Sequence, residues 1–274
     1  RFSRFNGCVA YHSPKRYSMK RVHIVQLIGF CILMIQSFSV QSQDINVLLK
    51  EASNFERVQK ENEALEKYKL VLTQDPANLK ALVKATELSA SIGGRQPDKN
   101  NKRLFYETAL SYAKRAWQSD SNHADAAYAM AMIAGRMTDI ETENKQIVAF
   151  VKDIKLYADK ALSINPDHAK ANYTLGKWHY EMVTLSGLKK AAVKLLYGGL
   201  PSGDLEKAIS YMEKCKTLEP YFALNYLDLA KAYKEARQPA KAIEVLNKLV
   251  KLPVRTGDDP AIKAEGAKML EVIQ

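Results

Sequence analysis

TQDPANLKAL (73–82), QSDSNHADAAY (118–128), SINPDHAKANY (163–173) and TLEPYFALNY (217–226) decide how this chain folds. Each stretch turns at Pro76, Ser121, Pro166 or Pro220 and then runs into residues rich in alanine, leucine and tyrosine. Such a stretch ends one helix and opens another, because proline withdraws an amide donor from the helix before it.

Working outward from these turns, small or apolar residues recur at fixed offsets. The first repeat carries Ala52, Phe55, Ala64, Tyr68 and Val71 before Pro76. Ala109, Ala113 and Ala116 follow in the second, and Ile154, Ala158 and Ala161 in the third. The fourth has Leu175, Gly176, Ala208, Met212 and Cys215, and the fifth Leu229, Ala230, Tyr233, Ala242, Leu246 and Leu249. Two antiparallel helices approach closely only where small residues occupy the crossing, with larger ones on the flanks. That is the tetratricopeptide pattern, a helix-turn-helix unit with a period near 34. The turns here are 45, 45, 54 and about 34 residues apart, so three repeats carry insertions. The spacing predicts paired helices over 44–57 and 60–74, 78–92 and 102–119, 123–135 and 141–164, 168–184 and 204–218, and 221–237 and 239–251. A last helix near 258–273 is expected to cover the open apolar face of the end repeat. The fold class is therefore all-α, a solenoid of about five helix pairs with insertions and a C-terminal capping helix.

The charge agrees with this reading. Among 274 residues, 41 Lys and Arg face 30 Asp and Glu, a formal charge of +11. Six of the basic residues and none of the acidic ones lie in the first 42, so the remaining 232 carry only +5. A nucleic-acid partner loses most of its support. The first 42 residues instead read as a targeting segment. Met19 is a plausible start, Lys20 and Arg21 supply a positive region, and Ile24 to Ile35 is an apolar run broken only by Gln26. Val40 and Ser42 suit a cut before Gln43. The run is too short to span a bilayer, so no transmembrane helix is expected after its removal. Residues 1–42 are assigned to upstream sequence plus signal peptide, and 43–274 to the solenoid. The expected location is exported, periplasmic or secreted, with a mitochondrial or N-terminally anchored protein as the alternative.

Chemistry-bearing motifs are sparse. Gly93-Gly94 and Gly198-Gly199 read as turns and not as phosphate loops. His123 and His168 follow equivalent turns as helix-start residues, and neither has a second metal ligand at helical spacing. His179 and Cys215 fall at inward offsets and read as a satisfied core histidine and core filler. Acids such as Glu63 and Glu66, with Lys67 beside them, read as solvated surface. No acid/base pair or activated nucleophile stands out, so the chain reads as a non-enzymatic protein without metal or cofactor.

The first helix of each pair lines the concave side of such a solenoid. The repeat offsets place Tyr128, Met132 and Arg136 there, then Tyr173, Lys177 and Tyr180, then Leu224, Leu227, Lys231 and Lys234. Aromatic area with cations suits an acidic peptide, a chain terminus or a lipid headgroup. A scaffold that binds a protein or peptide through this groove is the leading expectation. Leu188, Ala192, Leu195 and Leu196 share a helical face opposite Lys189, Lys190 and Lys194, so 187–197 forms a basic amphipathic insert. It is expected to pack across the groove or over the adjacent pair, with contact to an anionic membrane as the alternative.

Residues 171–220, ANYTLGKWHYEMVTLSGLKKAAVKLLYGGLPSGDLEKAISYMEKCKTLEP, resemble the regulator of microtubule dynamics family. Leu175-Gly176-Lys177-Trp178, Leu185-Ser186, the basic insert and Gly198-Gly199-Leu200-Pro201 carry the likeness. The closing segment LPVRTGDDPAIKAEGAKMLEVI (252–273) is also similar to the family's last helix. The resemblance extends over about 45–273 and is most specific from 168 onward. It implies a helical-repeat scaffold, with microtubule association, organelle contact and, for one relative, phospholipid binding among the family's roles. The leader marks this chain as an exported, bacterial-type member. The resemblance also suggests the alternative function, a lipid-binding or lipid-carrier module using the same groove and the insert.

Overall fold

A computed structural model describes residues 44–273. The signal-peptide and start-site expectations lie outside the described residues. The described chain holds twelve helices and no strand. The five pairs are α1 (Ile45–Arg57) with α2 (Glu61–Gln74), and α3 (Leu79–Gly94) with α4 (Lys99–Ser119). Next come α5 (Ala124–Thr138) with α6 (Asn144–Ile164), and α7 (Ala169–Thr184) with α9 (Leu205–Leu218). The fifth pair is α10 (Ala223–Glu235) with α11 (Pro239–Lys251). The insert is α8 (Gly187–Tyr197), and α12 (Asp259–Ile273) is the cap. Boundaries fall within about three residues of those expected.

The four junctions are one turn repeated. The amides of Asn78, His123, His168 and Phe222 donate to the carbonyls of Asp75, Asp120, Asn165 and Glu219, at 3.1, 3.4, 3.1 and 3.1 Å. In the first three, the Asp75, Asp120 and Asn165 side chains also accept from the amide two residues on, at 3.2, 2.9 and 3.0 Å. An Asx side chain mimics a backbone turn in this way, and proline presets the next φ. Asn78, His123 and His168 then cap α3, α5 and α7 by accepting from Ala81, Asp125 and Ala171 amides. The two histidines begin helices, as the sequence suggested.

Alanine makes the pairs close. Ala64, Ala109, Ala113, Ala158, Ala161 and Ala208 are fully buried at the crossings. A Cβ built on Gly176 would lie 2.9 Å from the Ala208 carbonyl oxygen and 2.9 Å from Met212 Cγ. At the C-terminal end α12 covers α10 and α11, and a Cβ on Gly266 would meet Leu249 Cδ2 at 2.5 Å. The cap thus performs the expected cover. Gly198 and Gly199 turn as expected, with φ of 75° and 86°. Gly93 and Gly94 do not turn: they close α3, where a Cβ on Gly93 would meet Phe105 Cβ at 2.6 Å. Close packing against α4, and not chain reversal, explains that pair.

One set of contacts joins the two ends. Gln59 Nε2 donates to the Val254 carbonyl (3.1 Å), and the Gly257 amide donates to Glu61 Oε1 (3.0 Å). Arg95 bridges Asp258 (2.6 Å) and Glu61, and Ser91 Oγ donates to Asp258 (2.8 Å). The loop before α12 therefore reaches back to the first two pairs and closes the solenoid on one edge.

Candidate functional site

The first helices, α1, α3, α5, α7 and α10, present a line of ion pairs on the inner face. Lys84 Nζ lies 3.0 Å from Glu56 and 3.2 Å from Glu87, and Lys170 Nζ lies 2.7 Å from Glu87. The Lys170–Glu87 bond runs from α7 to α3 past α5, which only tight curvature allows. Burial pushes the Glu87 carboxyl up, yet Lys170 and Lys84 hold it well below the usual range. Glu87 in turn holds the Lys84 ammonium above its ordinary value.

A second knot sits further along. Asp228, with its side chain 3% exposed, accepts from Tyr173 (2.7 Å), Lys177 (2.9 Å) and Lys231 (3.4 Å). Burial disfavours its charge, but Lys177 and Lys231 outweigh this and keep its carboxyl below the ordinary value. Lys231 also pairs with Glu265 of α12 at 2.9 Å.

Beyond this knot lies an open cleft of about 740 Å³ between α7, α10 and α12. Tyr180, Lys231, Lys234, Arg237, Lys268 and Met269 line it, with Glu235, Glu265 and Val272. Four cations therefore face two carboxylates. Lys231 is committed to Asp228 and Glu265, whereas Lys234, Arg237 and Lys268 make no ion pair among the described residues. Met269 and Val272 add apolar surface, and Val272 is 79% exposed. Unpaired cations beside apolar area can take a carboxylate together with a hydrophobic side chain.

The structure divides the ten sequence-expected groove residues. Tyr180, Lys231 and Lys234 come together in the cleft. Tyr173 and Lys177 hold Asp228, and Met132, Arg136 and Leu224 are half-buried along the inner helices. Tyr128 and Tyr173 are buried, and Leu227 belongs to the core formed with α11 and α12. All three are largely covered by protein, although the edge of Tyr128 lines a second cleft with Lys84, Glu87 and Lys170. Sequence reasoning missed Asp228, Glu87, Arg237 and Lys268. Asp228 had a signal: an acid between Leu227 and Leu229 in a stretch buried from Asn225 to Ala230.

Three other expectations resolve here. Cys215 is buried core, and burial pushes its thiol up to about 12. His179 is buried against Trp178 and Tyr211, but its Nδ1 has no partner among the described residues. It is a core histidine and not a satisfied one. Burial, with Lys155 and Lys207, lowers its pKa and keeps the ring neutral. The insert does not lie across the groove or over a pair: α8 only grazes α6, and Leu195 and Leu196 are exposed. Of its apolar face, the described residues Ala192, Leu195 and Leu196 are all exposed.

Paired helices in register, small-residue crossings and a capped end define a tetratricopeptide-type scaffold. A solved tetratricopeptide-repeat protein of Thermus thermophilus superposes with a TM-score of 0.59 at 14% identity, covering 83% of this chain and all of that one. The family model for regulator of microtubule dynamics protein 1-3 matches residues 48–274, and the chain belongs to that family. Regulator of microtubule dynamics protein 1 from Pongo abelii is 30% identical over 200 residues, 72% of this chain and 62% of that protein. The human protein of the same name is 29% identical over 178 residues, 64% of this chain and 56% of its own length. The chain thus spans about three fifths of the length of these two relatives. Those relatives are vertebrate proteins, and the exported, bacterial-type reading has no support among them. Among the described residues, no helix is long and apolar enough to cross a membrane.

Proposed function

We propose that the chain is a non-enzymatic scaffold that binds an acidic segment of a partner protein in the cleft between α7, α10 and α12. The observation that carries this is the set of unpaired cations, Lys234, Arg237 and Lys268, beside Tyr180 and Met269 in one open cleft. Elsewhere on the inner face Lys84, Lys170 and Lys177 are already engaged by acids. Those three lysines hold Glu56, Glu87 and Asp228, so they offer a partner little free charge. The same polar lining speaks for a peptide over an acyl chain, because burying hydrocarbon against ion pairs gains little. The carrier alternative therefore draws no support from the cleft and rests on the family likeness and the basic insert.

Residues 1–42 are proposed as a targeting leader on their composition, with an exported location and, as alternative, a mitochondrial or anchored one. The N-terminal residue of the mature protein tests this: Gln43 supports cleavage by signal peptidase, and an intact leader contradicts it.

The cleft is tested with Lys234→Glu/Lys268→Glu, two exposed changes that leave the Asp228 network intact. Proteins captured by the wild type should be lost by the variant, and acidic peptides from them should bind at least about ten-fold more weakly. Equal capture and equal affinity would overturn the assignment.

A further inference from the structure

The insert helix α8 is the element that the rest of the fold leaves uncovered. Its cap is local, with Ser186 accepting from the Lys189 amide at 3.4 Å, and Lys190 Nζ reaches back only to the Val183 carbonyl at 3.1 Å. Nothing lies within 4 Å of a Cβ built on Gly187 at its start or on Gly198 at its end. Of its described side chains only Val193 is partly covered, while Leu195 and Leu196 are 85% and 65% exposed. At 100° per residue, Ala192, Leu195 and Leu196 share one arc, and Lys190 and Lys194 leave on the opposite side. The apolar face therefore looks away from the solenoid.

The charge around that face is one-sided. From Met182 to Gly203 there is no Asp or Glu, and the only ionised side chains are Lys189, Lys190 and Lys194. Exposed leucine beside lysine, on a helix that projects from its domain, is the composition of an interfacial helix. A groove on another protein or a second copy of this chain would also cover leucines. Neither requires twenty-two residues free of acid. An extended plane of lipid phosphate favours such a stretch, because it repels an acid placed anywhere along the segment.

We infer that α8 is a docking surface for an anionic lipid bilayer, laying Leu195 and Leu196 among the acyl chains and its lysines against the headgroups. The surface is separate from the cleft, so it goes beyond the scaffold reading and stands or falls independently of it. The helix would orient the solenoid on a membrane while the cleft stays free for a partner.

Leu195→Trp in the full chain tests the inference, because residue 195 is exposed and the native Trp117 and Trp178 are subtracted with the wild type. Emission from residue 195 should shift to the blue with phosphatidylcholine vesicles containing phosphatidylserine, and should not with phosphatidylcholine alone. Raising the salt should reverse the shift. Lys190→Gln and Lys194→Gln on that background should each weaken apparent binding about five-fold. No shift with phosphatidylserine, or a shift indifferent to lipid charge and to the lysines, would overturn the inference. A shift that grows with protein concentration in the absence of vesicles would overturn it too, by showing that a second copy covers the face.

Discussion

At the scale of single residues, the fold turns on side chains that are missing. Gly176 and Ala208 face each other where α7 crosses α9, and the backbone of one stands where a side chain of the other would go. Ala208→Leu should therefore cost about 1–3 kcal/mol by overpacking. The exposed neighbour Lys207→Leu should change stability by less than about 0.5 kcal/mol. Thermal unfolding of both at equal protein concentration checks the register, and equal losses would refute it. Asp228 makes the opposite case, a charge that the core keeps. Its carboxyl is held below the ordinary value, so its contribution is complete above the unfolded carboxylate pKa of about 3.9 and is lost as the pH falls towards the folded value. Asp228→Asn should lower stability at neutral pH by about 1–3 kcal/mol. Its stability should also fall less steeply than the wild type's below about pH 4. Denaturant unfolding across that range reads both effects.

At the scale of helices, most of the architecture is legible because period, cap and small-residue spacing all act locally. The Asx turns at Asp75, Asp120 and Asn165 and the caps at Asn78, His123 and His168 are written within four residues of one another. Hence the ten paired helices and the cap fell where the offsets put them. What failed depended on neighbours distant in sequence. Gly93-Gly94 looked like a turn because two glycines usually break a helix, whereas Phe105 of the next helix is what forbids a side chain there. The amphipathic pattern of α8 was visible, but a pattern does not say whether protein or something else covers its face. Acids on helix faces read as solvent-exposed, so Glu87 and Asp228 were missed, and the repeat offsets that place Tyr128, Tyr173 and Leu227 on the inner face do not say how far neighbouring helices cover them. Two non-glycine residues, Gln59 and Arg237, adopt left-handed φ, and the second lies in the cleft. Arg237 ends α10 with φ of 56°, a left-handed conformation that glycine adopts without cost. Arg237→Gly should raise stability by up to about 1 kcal/mol and at the same time weaken capture of acidic segments. A gain in melting temperature without any loss of binding would remove Arg237 from the cleft's function.

At the scale of the whole molecule, the solenoid is held closed by the contacts of Gln59, Glu61, Ser91 and Arg95 with the loop before α12. No sequence period reveals such a clasp, since it joins residues more than 160 positions apart. Arg95 and Asp258 are partly exposed, so breaking this pair should cost only about 1 kcal/mol. Its larger effect should be on shape. Asp258→Ala should increase the radius of gyration in small-angle scattering, and an unchanged radius would mean that helix packing alone sets the curvature. The clasp also bears on the cleft, because α12 supplies Lys268 and Met269 and the loop preceding α12 is what the clasp holds. The central claim, that partners sit between α7, α10 and α12, is met most directly by photocrosslinking. Benzoylphenylalanine at Tyr180, inside the cleft, is compared with the same group at the exposed Leu156 on α6, using acidic peptides from captured proteins. The account predicts adducts from position 180 that Lys234→Glu/Lys268→Glu abolishes, and none from position 156. Adducts at 156 with none at 180 would contradict it.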